Sequence, residues 1–122
     1  LAQTIIENTQ SYGNAFEHFV ILELIRLNEY LRKDFTFSYL RTKDDAEIDL
    51  IVDRPGQKTI IAEIKSSSRV DERDIKTLKA FIPDFKDAMA MLISNDPHER
   101  ISEGVHFLPW KKAISEIITD KT

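Results

Sequence analysis

Residues 49–65 have the sequence DLIVDRPGQKTIIAEIK, in which two apolar, β-branched segments flank a Pro-Gly pair. This pattern is typical of a β-hairpin. Side chains alternate along each strand, and with Gly56 at the apex of the turn the register predicts Asp49 opposite Glu63. The same register predicts Glu47 opposite Lys65. We therefore expect acidic side chains and a lysine on one face of the hairpin.

The opposite face of this hairpin is apolar and predicts a surface that packs on the core. Its members are Ile48, Leu50, Val52, Ile60, Ala62 and Ile64. A slip of one residue would exchange the two faces and bury the charges, so the pattern itself specifies the pairing. Buried carboxylates are costly unless they are paired or bind a cation. Because Asp49 and Glu63 would face each other, the hairpin indicates a site for a divalent cation.

The rest of the chain predicts an α/β domain with the element order α-β-β-β-α-β-β-α. A long helix is expected to follow the capping residues at 11–14 and to end near Arg32. Strands are expected at 35–41, 46–53, 58–66, 88–94 and 105–108, and further helices at 71–81 and from Pro109 to about Ile118. We interpret residues 1–12 as a helical lead-in from an upstream region and residues 13–122 as one domain.

The composition limits the class of protein. A chain of 122 residues is long enough for one domain with a single core. It has no cysteine, which excludes disulfides and thiolate metal sites and favours a reducing compartment, so we expect a cytoplasmic protein. No apolar run approaches the roughly 18 residues that span a membrane. The chain begins at Leu1 rather than methionine, and we interpret it as a fragment or a processed product.

The net charge of −4 argues mildly against general affinity for nucleic acid. Local basic residues could nevertheless form a rim around the acidic site, and they are Arg41, Lys43, Lys65, Arg69, Arg73, Lys76 and Lys79. The candidate nucleic-acid ligands are Lys43, Ser66, Arg69, Arg73 and Lys76. The alternative is that these charges belong to a solvated helix face.

An acid two residues before a lysine is a weak pattern by itself, and it recurs at 74–76 and 84–86. In a helix, positions two apart point away from each other, so Asp74 and Lys76 would not form a joint site. Only Glu63 and Lys65 lie on a predicted central strand across from another acid. The alternative to a catalytic site is a structural charge cluster on one sheet face, in which Glu47 pairs with Lys65.

The order of elements, together with Asp49, Glu63, Lys65 and an acid on the first helix, resembles the PD-(D/E)XK, or restriction-endonuclease-like, superfamily. The chain is also similar to a C-terminal domain of unknown function that follows the ATPase module in many bacterial and archaeal AAA+ ATPases. The resembling segments are 13–20, 22–24, 41–50, 62–67 and 108–110. The resemblance implies an αβββαβ core with a mixed central sheet flanked by helices, plus a short extra strand and a C-terminal helix.

The resemblance also implies roles for individual residues. Asp49 corresponds to the aspartate of the nuclease motif, Glu63 to its second acid, Lys65 to its lysine, and Glu17 to the glutamate of the first helix. The chain departs from the motif at Ile48, where a proline is expected. This departure removes no ligand.

The metal implied by the resemblance is Mg²⁺ or Mn²⁺, bound by Asp49, Glu63 and the backbone carbonyl of Ile64. The implied substrate is DNA, and the implied partner is an ATPase domain upstream of this chain. No Walker-type phosphate loop occurs in the sequence, so any ATP binding would lie outside this fragment. Two alternatives stay open: a catalytically silent module that binds nucleic acid or regulates the attached ATPase, and an oligomerisation domain.

Overall fold

A computed structural model describes residues 10–119 of the chain, so most of the expected lead-in lies outside the described residues. The helices are α1 (Gln10–Leu31), α2 (Lys76–Phe81) and α3 (Trp110–Ile118). The strands are β1 (Thr36–Arg41), β2 (Glu47–Asp53), β3 (Ile60–Ile64), β4 (Met89–Ser94), β5 (Arg100–Ser102) and β6 (Val105–Pro109). Short 3₁₀ turns at Glu72–Ile75 and Ile82–Asp84 flank α2. None of the helices within 10–119 has the length and hydropathy that crossing a membrane requires.

The six strands form one mixed sheet in the order β1-β2-β3-β4-β6-β5. The pairs β1–β2, β2–β3 and β5–β6 are antiparallel, whereas β3–β4 and β4–β6 are parallel. The predicted α/β class, with a mixed central sheet flanked by helices, is confirmed. Strand β5 was not predicted, because three residues are too few to show a periodic pattern.

Apolar side chains cover both faces of the sheet. Helices α1 and α3 pack on one face, where Phe16, Val20 and Leu24 lie in the same cluster as Leu50 and Ala62. Helix α2 and its preceding turn pack on the other face, where Ile75 and Leu78 cluster with Ile61 and Leu92. The central strands β3 and β4 are therefore buried on both sides, as their nearly continuous apolar sequences indicate.

Helix α1 already includes Gln10, so the residues expected to cap it, 11–14, lie inside the helix. Tertiary contacts outweigh the local capping preference there. The ring of Tyr12 stacks on Phe16 one turn later, and the Tyr12 hydroxyl accepts a hydrogen bond from Asn95 Nδ2 at 3.2 Å. Packing of an apolar face supplies most of the stability of helices in folded proteins, so propensity alone does not locate their ends.

Strand β2 contains a β-bulge that includes Asp49, the predicted metal ligand. The sequence analysis did not predict this bulge. The partners on either side are Ser38↔Ile51 and Leu40↔Ile48. Asp49 and Leu50 therefore oppose the single residue Tyr39, and this extra residue breaks the alternation of side chains. Leu50 lies in the cluster beneath α1, whereas Ile48 lies with Ile61 in the cluster beneath α2. The prediction that Ile48 shares a face with Leu50 is wrong, because a regular strand was assumed.

Candidate functional site

The hairpin of β2 and β3 has the predicted register. Its paired residues are Leu50↔Ala62, Ile51↔Ile61 and Val52↔Ile60. The ladder ends at Leu50, so the predicted pair of Asp49 with Glu63 is not part of it, and the backbone N–H of Ile64 instead donates to Asp49 Oδ2 at 2.8 Å. The next N–H, that of Lys65, donates to the carbonyl of Ile93 on β4 at 2.8 Å. We refer to the end of the β2–β3 ladder, where the carboxylate of Asp49 accepts the hydrogen bond from Ile64, as the opening.

Three partly buried acids interact around this opening. Burial raises the pKa of Glu63 to about 7, and the negative charge of Asp49 adds to the effect. The pKa of Glu17 on α1 is also raised to about 7, first by burial and then by repulsion from Asp49 and Glu47. Burial raises the pKa of Asp49 as well, although the N–H of Ile64 opposes the change. The structure thus brings Glu17, Asp49 and Glu63 within electrostatic reach of one another.

Glu63 has one carboxylate oxygen, Oε2, that is buried and makes no hydrogen bond within the described residues. Leaving a buried acceptor unsatisfied costs on the order of 1–3 kcal/mol, and more when the group is charged. A cation at this oxygen would remove that cost and would also reduce the repulsion between Glu63 and Asp49. The local chemistry therefore fits a hard, oxygen-preferring metal ion.

The described part of the chain contains no group of three or more His, Cys, Asp or Glu side chains arranged to hold a metal ion. Mg²⁺ usually keeps several waters and takes only one or two protein carboxylates. Asp49, Glu63 and the carbonyl of Ile64 form a donor set of this kind. Their assignment as ligands of Mg²⁺ or Mn²⁺ stays a prediction.

The expected pair between Lys65 and Glu47 does not form. The ammonium group of Lys65 lies 2.9 Å from Asp74 Oδ1, and Glu47 instead accepts a hydrogen bond from Arg41 Nε at 2.7 Å. Glu47 is the register partner of Arg41 on β1, and the β2–β3 ladder does not extend as far as Glu47 and Lys65. Hydrogen bonding to Asp74 raises the pKa of Lys65, and the charge of Glu63 adds a smaller contribution in the same direction. Lys65 therefore stays protonated beside the acids.

Asp74 is a residue of this site that the sequence analysis missed. Asp74 lies in the turn that follows β3, and its carboxylate pairs with Lys65. A signal for this position exists in the sequence. Asp71 caps the turn, and Asp74 three residues later accepts from the backbone N–H of Asp71 at 2.9 Å, which completes a capping box. The box fixes the first turn after the loop and, with it, the carboxylate of Asp74.

A cavity of about 650 Å³ adjoins Asp49 on the side of α1 and β1. Its lining residues are Glu17, Ile21, Tyr39, Leu40, Arg41, Glu47, Ile48 and Asp49. Acidic groups and apolar walls therefore occur together in this cavity, with one exposed tyrosine and one arginine.

The predicted nucleic-acid ligands lie in the loops after β1 and β3 and at the start of α2, and their role stays a prediction. Lys43, Arg69 and Lys76 are exposed. Arg73 is already held by Asp71 at 2.6 Å, and Ser66 is partly buried, with its carbonyl accepting from Asn95. Four cations of the expected rim, Arg41, Lys65, Arg73 and Lys79, are paired with acids. Exposed pairs of this type contribute little net stability, so a phosphate would displace them at small cost.

The profile of the family described as "Domain of unknown function (DUF4143)" matches residues 12–113, and the chain belongs to this family. The match confirms the expectation that the chain is a domain from a family of unknown function. No curated protein matches the chain.

A similar fold occurs in a solved structure described as "Refined half-complex from tetradecameric assembly of Thermococcus gammatolerans McrB AAA+ hexamers with bound McrC". The two chains are 13% identical, with a TM-score of 0.55. The similarity covers 80% of this chain and 27% of the Thermococcus gammatolerans chain, so this chain spans about a quarter of that protein's length. At 13% identity, this similarity shows a shared fold and nothing about function.

Proposed function

We propose that this DUF4143 domain is a metal-dependent nuclease of the PD-(D/E)XK type that hydrolyses phosphodiester bonds in DNA. The observation that carries the proposal is the buried, unsatisfied oxygen of Glu63, whose pKa is raised first by burial and then by the negative charge of Asp49. The adjacent ammonium group of Lys65 supports the same interpretation. An acidic opening beside a fixed positive charge suits a bound cation and an anionic substrate.

In this mechanism Asp49, Glu63 and the carbonyl of Ile64 bind Mg²⁺ or Mn²⁺. When bound, the ion would supply a positive charge that polarises the scissile phosphate and lowers the pKa of a water molecule. Lys65 would donate to the phosphoryl oxygens as negative charge develops on them, after leaving its partly exposed contact with Asp74. Glu17, which lines the adjoining cavity, would accept the proton of the attacking water.

A cleavage assay with Mg²⁺ or Mn²⁺ on plasmid and branched DNA tests the proposal. We expect the parent chain to cleave and the Asp49→Asn variant to lose activity. Asp53→Asn is the matched control, because Asp53 is an exposed aspartate at the other end of the same strand. Cleavage by Asp49→Asn at the parent rate, or no cleavage by the parent with either metal, would contradict the nuclease assignment.

The second candidate is a module that regulates an attached AAA+ ATPase without cutting DNA. The neighbouring fold in an McrB AAA+ assembly with bound McrC supports this alternative. So do two apolar side chains of α1 that face solvent, Phe19 at 44% and Leu22 at 51% exposure. The ring of Phe19 lies 5.1 Å from that of Trp110 at the start of α3, which extends the apolar area.

Phe19→Ser and Leu22→Ser in a chain that carries the ATPase separate the two candidates. A change in ATP hydrolysis without a change in DNA cleavage would assign this surface to the ATPase. If ATP hydrolysis is unaffected, the regulatory role is wrong.

A further inference from the structure

The cavity beside Asp49 has a size suited to one small aromatic group. Its volume of about 650 Å³ falls within the range of sites that enclose small ligands, roughly 300–1,000 Å³. A base pair within a continuous duplex would not enter it, because the bases of a duplex are stacked and the backbone surrounds them. The cavity is therefore large enough to take a single, unstacked group such as a nucleobase.

The lining of this cavity favours an uncharged group over a phosphate. Glu17 and Asp49 contribute carboxylates that would repel a phosphate in their part of the cavity, whereas Glu47 is paired with Arg41. The apolar walls come from Ile21 and Ile48, among others. A nucleobase is flat and uncharged, and the amino groups of adenine, cytosine and guanine can donate hydrogen bonds to carboxylates. This combination of walls and acceptors matches a base.

Tyr39 supplies a surface on which a base can stack. It lies on β1, at the edge of the sheet, and opposes the bulge formed by Asp49 and Leu50. The side chain is 74% exposed and lines the cavity. Exposed aromatic rings bind successive bases of single strands because every base has an aromatic face. The bulge thus places a stacking surface directly beside a candidate metal ligand.

Arg41 supplies a cation at the same cavity. Its guanidinium pairs with Glu47, and both side chains are partly open to solvent. An exposed pair of this kind contributes little net stability, so Arg41 can exchange Glu47 for a phosphate. The cavity therefore offers a stacking ring for a base and a cation for the phosphate next to it.

We propose that this cavity binds one unpaired nucleobase beside the scissile bond, with the base stacked on Tyr39 and the adjoining phosphate bound by Arg41. The inference rests on the proposed nuclease function and narrows its substrate to DNA with unpaired nucleotides, either single-stranded or branched. Continuous duplex is a poor substrate because a base must first leave the stack.

Binding is measured with Ca²⁺ in place of Mg²⁺, so that cleavage does not interfere. The probes are a single-stranded oligonucleotide of about 15 nucleotides that carries one 2-aminopurine, and its duplex. We expect tighter binding of the single strand, with quenching of the 2-aminopurine. Tyr39→Ala should weaken binding of the single strand at least about fivefold, whereas Tyr39→Phe should bind it like the parent. Arg41→Gln should reduce the slope of log affinity against log salt by about 0.7.

Tyr30→Ala is the control, since Tyr30 is 81% exposed on α1 and lies roughly 20 Å along the helix from Glu17. Parent-like binding by Tyr39→Ala, or tighter binding of the duplex, would overturn the base site. DNA cleavage that is indifferent to Tyr39→Ala would overturn the base site but keep the nuclease. Binding that depends on Tyr39, in a protein that cleaves nothing with Mg²⁺ or Mn²⁺, would keep the base site and remove the nuclease.

Discussion

At the scale of single residues, the site is built from acids whose ionised form is disfavoured by burial and by the negative charges nearby. Burial and mutual repulsion raise the pKa of both Glu63 and Glu17 to about 7, against an ordinary value of 4.5. Glu63 Oε2 also makes no hydrogen bond within 10–119. Residues that serve only the fold are usually satisfied, and groups with raised pKa values concentrate at functional sites.

This electrostatic cost predicts the pH dependence of stability in the metal-free protein. Between pH 4.5 and about 7 the folded chain keeps protons on Glu63 and Glu17 that the unfolded chain has released, so the free energy of unfolding falls as the pH rises. Urea denaturation at pH 4.5, 6 and 7.5 measures it. Acids with lowered pKa values, such as Asp71 with a pKa of about 2, change the free energy of unfolding only at lower pH, outside this range.

Glu63→Gln removes one of these groups. At pH 7.5 we expect the variant to be more stable than the parent by on the order of 1–2 kcal/mol, after allowance for solvent screening. The pH profile of Glu63→Gln should also be flatter. Glu29→Gln is the control, because Glu29 is exposed on α1. Identical pH profiles for the parent and Glu63→Gln would show that Glu63 carries no such cost.

Lys65 is expected to matter for the reaction and little for the fold. Its side chain is 48% exposed and that of Asp74 is 18% exposed, so we expect their pair to contribute on the order of 1 kcal/mol. Lys65→Ala should therefore lower cleavage of DNA by roughly 10²–10³-fold, the usual effect of removing a donor to a developing negative charge. Lys58→Ala is the control, an exposed lysine before β3. Parent-like cleavage by Lys65→Ala would exclude Lys65 from the mechanism.

At the scale of elements, the site depends on where three elements meet. The ladder of β2 and β3 ends at the pair Leu50↔Ala62, the bulge includes the adjoining Asp49, and α1 places Glu17 within electrostatic reach of Asp49. Helix α1 is held on the sheet by Val20 and Leu24, which are fully buried. The position of Glu17 therefore depends on the packing of the middle of α1.

Truncation of apolar side chains on α1 tests this packing. Leu24→Ala should reduce the free energy of unfolding by about 2–5 kcal/mol, because it leaves a cavity in the core. Leu22→Ala, at 51% exposure on the same helix, should change it by less than about 0.5 kcal/mol. Urea denaturation of both variants gives the comparison. Equal effects of the two substitutions would mean that α1 does not pack on the sheet through Leu24.

At the scale of the whole molecule, the sequence predicted the features that arise from periodicity. The register of the hairpin came from alternation around Gly56, and the α/β order came from apolar runs broken by turn residues. Contacts between distant segments could not be predicted in this way. The bulge depends on Tyr39 lying opposite Asp49, and the pairing of Lys65 depends on where the turn after β3 places Asp74.

The central claim is that Asp49 and Glu63 together form one divalent-cation site. Calorimetric titration of the parent with Mn²⁺ and Mg²⁺ tests it most directly, alongside Asp49→Asn, Glu63→Gln and the control Asp53→Asn. We predict one binding site in the parent and in Asp53→Asn, and at least tenfold weaker binding in the other two variants. Equal binding by all four proteins, or none by the parent, would contradict the claim.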